Sequence, residues 1–187
     1  MKPLLLLTLL LSSSSLFAAV KLPSIFTDHM VLQRDKAVPV WGKAAPGEEV
    51  VVEFAGQKKT TKAGAGGQWM VKLDPMPATD QPRDLVISSN HQSQIVNHKC
   101  TDVLIGEVWL ASGQSNMEWE MQMKPDSQAD IPNTTHPNLR LIEVPKTTAL
   151  TPQDDVPAKW ARSAPESAPP AIMRMDIQGM RFSWSMP

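Results

Sequence analysis

The chain has 187 residues, of which 42% are hydrophobic, and its formal net charge at pH 7 is −1. This length fits one ordinary domain or two small ones, and the scattered lysines and arginines exclude the basic surface that is typical of nucleic-acid-binding proteins. The 17 prolines, the absence of tyrosine and an aromatic content of 5% favour strands and loops over a helical bundle.

Residues 1–19 have the pattern of a secretory signal peptide. Lys2 supplies the positive start, residues 4–11 are apolar, and the segment ends in small residues. A transmembrane anchor needs about 20 apolar residues, and the serines at 12–15 interrupt this run. We therefore expect export to the periplasm or the extracellular space, with no membrane attachment after cleavage.

Residues 20–101 are predicted to form a small β-sandwich, because short strand-like runs alternate with turn residues. Gly56 and Gln57 are predicted to form a hairpin turn. The predicted strands are residues 38–41, 50–54, 58–62, 68–73, 84–88 and 94–99. Three aromatic side chains are predicted to lie in the core, with carbohydrate stacking by one of them as the alternative: Trp41, Phe54 and Trp69.

The single cysteine and the four histidines indicate no metal or organic cofactor. Cys100 cannot form an internal disulfide and is predicted to pack as a small hydrophobic residue. His29 follows Asp28, but neighbours in a strand point to opposite faces, so Asp28 is not expected to orient the imidazole and His29 is interpreted as structural. The other histidines, His91, His98 and His136, lack metal-ligand spacing. His136 is expected on an exposed loop.

The stretch of residues 102–119 is predicted to organise the rest of the chain. Its apolar run at 103–110 predicts a strand buried on both faces, and Gly113 after it allows a sharp turn. Ser115 then follows the strand, where open α/β sheets place their ligand sites, and a helix beginning at residue 116 would direct N–H groups at a developing negative charge. Ser115 is therefore a candidate nucleophile, and a helix N-cap is the alternative.

Beyond Ser115 the pattern predicts one more helix and one more strand. Residues 117–124 are predicted to form a short methionine-rich helix, and residues 139–144 a second strand, parallel to the first because a helix and a loop separate the two. Residues 168–187 show neither a period of 2 nor one of 3.6. We expect a divergent tail there, from a frameshift or a truncated gene, with a genuine short tail as the alternative.

Three stretches of the chain resemble one family. Gly-Gln-Ser-Asn-Met-Glu-Trp at residues 113–119, after Gly-Glu-Val-Trp-Leu at residues 106–110, resembles block I of the SGNH (GDSL-type) hydrolases in the form carried by sialate O-acetylesterases. Residues 22–33 and 152–160 also resemble that family. The Gly-x-Ser-x-Gly elbow of the α/β-hydrolases is absent, because Met117 occupies the second glycine position.

The resemblance covers residues 21–167 and implies a mixed fold. The β-sandwich would be followed, over residues 102–167, by the start of an incomplete α/β SGNH-hydrolase domain of flavodoxin-like type. The implied activity is that of a secreted serine esterase acting on O-acetylated sialic acid or a related sugar. Ser115 would attack the acetyl carbonyl, form an acetyl-enzyme and donate its backbone N–H to the oxyanion.

The family's base comes from a C-terminal Asp-x-x-His, and here no histidine follows His136. A serine without its base is a weak nucleophile, so we expect these 187 residues to be inactive alone. The alternative function is that of a secreted, non-catalytic β-sandwich that binds carbohydrate through an exposed Trp41 or Trp69.

Overall fold

The computed structural model describes residues 20–91, 94–113, 115, 120–167, 175–176 and 181–182. The predicted signal peptide and most of the predicted divergent tail lie outside these described residues. Within them, no helix has the length and apolar character needed to cross a membrane.

The described part of the chain is mostly β-structure, which confirms the β-rich character predicted from the sequence. It also contains one short helix, α1 (Pro125–Gln128), and 3₁₀ turns at Met121–Met123, Ile131–Asn133 and Pro165–Ser167. The strands are β1 (Val31–Gln33), β2 (Val38–Lys43), β3 (Glu49–Phe54), β4 (Gln57–Lys62), β5 (Gln68–Leu73), β6 (Thr79–His91), β7 (Gln94–Gly106), β8 (His136–Ile142), β9 (Trp160–Ser163), β10 (Met175–Asp176) and β11 (Arg181–Phe182).

Two sheets share one hydrophobic core. The larger sheet has the strand order β1-β7-β6-β3-β4, and β2 pairs with β5 in the smaller one. In β5, Trp69, Val71 and Leu73 are buried and alternate with exposed residues, because successive side chains of a strand point to opposite faces. The largest fully buried side chains come from both sheets and from the segment before β1: Phe54, Met30, Leu73, Leu85, Ile87, Val40, Val50, Val52, Val103 and Cys100.

All strand pairs of these two sheets are antiparallel except β1 with β7, which run parallel. The predicted strands of residues 38–73 correspond to β2 to β5, and the two shorter ones after them lie within β6 and β7. The hairpin turn lies at Ala55 and Gly56, not at Gly56 and Gln57, because Phe54 pairs with Gln57. Both turn residues have a positive φ, 51° and 79°, which a type I′ hairpin turn requires.

The strand predicted over residues 103–110 is wrong in its extent. β7 ends at Gly106, and Val108, Trp109 and Leu110 are exposed, so only the first part of the apolar run is buried. β7 also continues across the predicted domain boundary between residues 101 and 102, with an irregularity in its pairing with β6. The division into domains stays a prediction.

The second predicted strand has a different partner from the one expected. Residues 139–142 belong to β8, which pairs antiparallel with β9 and not parallel with the strand before Ser115. Among the described residues of 102–167, α1, the 3₁₀ turns and the β8–β9 pair follow β7. The flavodoxin-like architecture of this region therefore stays a prediction.

Replacing Leu85 with Ala tests the position of the core. Leu85 is 0% exposed, and removing its side chain leaves a cavity, so the free energy of unfolding should fall by about 2–5 kcal/mol in urea denaturation. Met70 of β5 is 52% exposed, and Met70→Ala should change the same quantity by less than about 0.5 kcal/mol. Equal losses in the two variants would contradict this arrangement of the sheets.

Candidate functional site

Ser115 lies beyond the end of β7, after the irregular segment of residues 107–113, and it is exposed. Its hydroxyl is therefore accessible to a solute. Of the helix predicted from residue 116 to residue 124, residues 116–119 lie outside the described part of the chain, and Met121–Met123 form a 3₁₀ turn. The hydrogen bonds of the described residues give Ser115 no histidine partner; the imidazole of His29 contacts Asp102 instead.

The segment of residues 22–33 contacts the chain where it leaves β7. The backbone N–H of Val108 donates to Gln33 Oε1 at 3.0 Å, and Gln33 Nε2 donates to Glu107 Oε2 at 3.0 Å. The backbone N–H of Arg34 donates to Gly106 O at 2.9 Å. Two of the stretches that carry the family resemblance are therefore in direct contact.

The same segment also contacts the third stretch, residues 152–160. Asp155 accepts hydrogen bonds from the backbone N–H and the hydroxyl of Ser24, at 2.8 Å and 3.0 Å. The indole Nε1 of Trp160 donates to Ile25 O at 2.9 Å, and the backbone N–H of Trp160 donates to Thr27 Oγ1 at 3.3 Å. All three stretches thus meet around residues 22–33.

An apolar cavity of about 180 Å³ lies at this meeting point. Phe26 and Trp41 form an edge-to-face pair beside it, with ring centroids 4.8 Å apart. None of the described residues that line it has an ionisable side chain, so these residues supply packing surface to the cavity. Its lining residues are Ile25, Phe26, Met30, Val31, Leu32, Gln33, Val38, Pro39, Trp41, Val108 and Trp160.

A cluster of charged side chains surrounds Asp102, where β7 is irregular. The Asp102 carboxylate accepts hydrogen bonds from Arg162 Nε at 2.8 Å and from Arg140 Nη2 at 3.1 Å and 3.2 Å. It also lies 2.6 Å from His29 Nδ1. The Arg140 side chain is only 3% exposed and that of Asp102 11%. One carboxylate therefore links the larger sheet to the segment before β1 and to the β8–β9 pair.

The interpretation of His29 as a structural residue that Asp28 does not orient agrees with these contacts, although the two residues lie in a turn, with a φ of 68° at His29, and not in a strand as predicted. The Asp28 carboxylate accepts hydrogen bonds from the backbone N–H and the hydroxyl of Thr101, at 2.6 Å and 2.9 Å, while Asp102 contacts the imidazole. The role of Asp102 was not predicted from the sequence. The available signal was a carboxylate placed directly before the buried run of residues 103–105.

Three carboxylates of these contacts have pKa values below the ordinary value of 3.8. Burial raises the pKa of Asp102, but the hydrogen bonds from His29 and Arg162 and the charge of Arg140 outweigh it. The backbone N–H and the hydroxyl of Thr101 lower the pKa of Asp28. For Asp155, burial again raises the pKa, and the hydrogen bonds of Ser24 and Val156 more than compensate.

The other singled-out side chains have structural surroundings. Cys100 is buried, as predicted, and burial raises the pKa of its thiol to about 11. Trp69 is 3% exposed, which removes it as a stacking surface for a sugar, and Trp41 is partly buried against the core. His136 is half-buried at the start of β8, not on an exposed loop. No group of metal-ligating side chains occurs among the residues that the structure describes.

Comparison with known proteins finds similar sequences and a similar structure. Sialate O-acetylesterases of Pongo abelii and Homo sapiens are 30% and 31% identical to the chain over 155 residues, which are 77% of this chain and 29% of each relative. The chain thus spans less than a third of the length of these relatives. A carbohydrate acetylesterase from Xanthomonas citri has a TM-score of 0.73 and 35% identity, covering 80% of this chain and 34% of that one. No protein-family model matches the chain.

Asp102→Asn tests the charged cluster. At pH 7 the substitution leaves the buried Arg140 guanidinium without its counter-charge, so the free energy of unfolding should fall by about 3 kcal/mol or more in urea denaturation. The matched control is Asp154→Ala, because Asp154 pairs with Lys43 on the surface and its side chain is 85% exposed. Loss of that exposed pair should cost less than about 1 kcal/mol.

The same variant should alter the response to acid. A carboxyl whose pKa is lower in the folded state stabilises the fold above its unfolded pKa, and this contribution is lost as the pH falls through the folded pKa. The difference in stability between wild type and Asp102→Asn should therefore shrink below pH 3.8, the ordinary pKa of Asp102. A difference that stays constant from pH 7 down to about pH 2 would contradict a lowered pKa at Asp102.

Proposed function

The chain belongs to the sialate O-acetylesterase family, and we propose that it supplies Ser115 as the nucleophile of a carbohydrate O-acetylesterase. The observation that carries the proposal is the similarity to the Xanthomonas citri carbohydrate acetylesterase, which extends over 80% of this chain at 35% identity. The relatives named sialate O-acetylesterase favour O-acetylated sialic acid, or a related acetylated sugar, as the substrate.

The position of Ser115 supports this role. Ser115 is exposed. The chain that leads to it leaves β7 at Glu107 and Val108, which Gln33 of the segment of residues 22–33 holds by hydrogen bonds. A nucleophile must be accessible to its substrate and also held in a defined place, because orientation contributes several kcal/mol to catalysis. Both conditions agree with a nucleophile on the segment that follows a buried strand.

The proposed reaction has two steps. The Ser115 hydroxyl loses its proton to a base, and its oxygen attacks the acetyl carbonyl, so that the bond to the sugar oxygen breaks and the sugar leaves as an alcohol after taking up the proton. The acetyl group is then bound to Ser115 as an ester. Water attacks that ester, acetate leaves, and the hydroxyl is restored. The backbone N–H of Ser115 would stabilise the negative charge on the carbonyl oxygen in both steps.

The base does not come from an Asp-x-x-His sequence within this chain, because none of its four histidines follows an aspartate at that spacing. His29 Nδ1 is held by Asp102 at 2.6 Å, at a site that joins three parts of the fold. We therefore propose that the base comes from a part of the protein outside these 187 residues. We also propose that the protein is exported, on the pattern of a signal peptide at residues 1–19.

A fluorophosphonate, which reacts with activated serines, tests the nucleophile. In the protein that carries this chain, the adduct should map to Ser115 by peptide mass spectrometry. Ser115→Ala should abolish labelling and lower the rate of acetate release from O-acetylated sialic acid by a factor on the order of 10⁶. The control is Ser112→Ala, which removes a neighbouring exposed hydroxyl and should leave both measurements unchanged.

Two outcomes would contradict the proposal. One is an adduct at Ser112 or another serine of the folded protein, and the other is an acetate release that Ser115→Ala leaves intact. The 187-residue chain assayed by itself should release no acetate above background, because it lacks the base. Turnover by the chain alone would show that one of its own residues acts as the base.

A further inference from the structure

We propose that Gln33 is a positioning residue for the reaction at Ser115. Its side chain fixes the direction in which the chain leaves β7 and continues toward the nucleophile. This inference rests on the proposed role of Ser115 and adds a second residue, distant in the sequence, to the site. The side-chain hydrogen bonds of Gln33 go to Arg34, Glu107 and Val108, so its proposed role acts through the chain that leads to Ser115.

The side-chain amide of Gln33 uses both of its ends. Its Oε1 accepts from the backbone N–H of Val108 at 3.0 Å, and its Nε2 donates to Glu107 Oε2 at 3.0 Å and to Arg34 O at 3.3 Å. An amide can accept two hydrogen bonds at its oxygen and donate two from its nitrogen, so these contacts use both donor hydrogens and one of the two acceptor sites. The rotation of the amide is therefore determined by its partners.

The neighbouring residue reinforces the contact. The backbone N–H of Arg34 donates to Gly106 O at 2.9 Å, and Arg34 Nε lies 3.1 Å from Glu107 Oε1. Three consecutive residues, Gly106 to Val108, are thus each held by Gln33 or Arg34. Because β7 ends at Gly106, these contacts take over where the hydrogen bonding of the sheet stops.

This location gives the contact its effect on the nucleophile. Residues 107–113 have no regular secondary structure, and the contacts of Gln33 with Glu107 and Val108 fix the point from which this segment starts toward Ser115. A displacement of about 1 Å at a reacting group can cost a factor of about 10² in rate even when the substitution is remote from the chemistry. Gln33 therefore acts on the placement of Ser115 and not on its proton transfer.

Gln33→Ala in the whole protein is the first test. The rate constant for fluorophosphonate labelling of Ser115 and the kcat for acetate release should each fall by about 10-fold to 100-fold, with KM changed by less than about threefold. The pH dependence of kcat should keep its shape, because no titrating group of the reaction is removed. The matched control is Gln57→Ala, since Gln57 makes the same kind of bidentate contact to the backbone of Asp74, at 2.7 Å and 3.2 Å.

A paired substitution separates positioning from a loss of folding. Gln33→Glu alone places a second carboxylate against Glu107 and should lower the labelling rate as Gln33→Ala does. The double variant Gln33→Glu/Glu107→Gln restores one amide and one carboxylate in exchanged places, so it should recover most of the labelling rate and of kcat. If Gln33→Ala fails to fold, recovery of the labelling rate and of kcat by the double variant still tests the inference.

Three results would overturn the inference. Labelling and kcat at the wild-type level in folded Gln33→Ala would show that the contact has no effect on Ser115. Equal losses of kcat in Gln33→Ala and Gln57→Ala would show a general loss of stability, as would a double variant that recovers nothing. If the wild-type protein is not labelled at Ser115, the proposed function has failed, and this is visible before any Gln33 variant is compared.

Discussion

The Asp102 carboxylate is the group on which the arrangement of the described parts depends. It contacts the side chains of His29 in the segment before β1, Arg140 in β8 and Arg162 in β9, and the backbone of Asp102 belongs to β7. The Arg140 side chain is almost completely buried, and a buried charge without its partner is strongly destabilising. The β8–β9 pair therefore cannot take another place on the larger sheet without exposing or neutralising that charge.

The segment of residues 22–33 has a second connecting role. It contacts Asp155 through Ser24, Trp160 through Ile25, and the end of β7 through Gln33. These contacts join the three separate stretches that carry the family resemblance. Each stretch provides hydrogen-bond partners for another, so a change in one leaves donors or acceptors unsatisfied in its neighbour.

Much of the sandwich could be predicted from the sequence, and most of the charged cluster could not. The alternation of Trp69, Val71 and Leu73 with exposed residues marks β5 without any knowledge of its partner. By contrast, His29, Arg140 and Arg162 are 73, 38 and 60 residues away from Asp102 in the chain, and no local period relates residues so far apart. Ser115 was predicted as the nucleophile through resemblance, since Gly-x-Ser alone is more typical of a helix cap.

The end of β7 could not be predicted from the apolar pattern either. Residues 103–105 and 108–110 are both apolar, and only the pairing of the sheet makes the first group buried and the second exposed.

The parallel pairing of β1 with β7 has a consequence for the order of folding. Val31 pairs with Leu104, whereas the β3–β4 and β6–β7 pairs join neighbouring strands of the chain. Contacts of high sequence separation form late, because the entropy of closing a long loop must be lost before the contact contributes. The hairpins can therefore form early, and β1 can complete the edge of the larger sheet only after the chain has been synthesised as far as Gly106. Until then Val31 and Leu32 lack the strand with which β1 pairs, and apolar side chains left exposed in an incompletely folded chain favour aggregation.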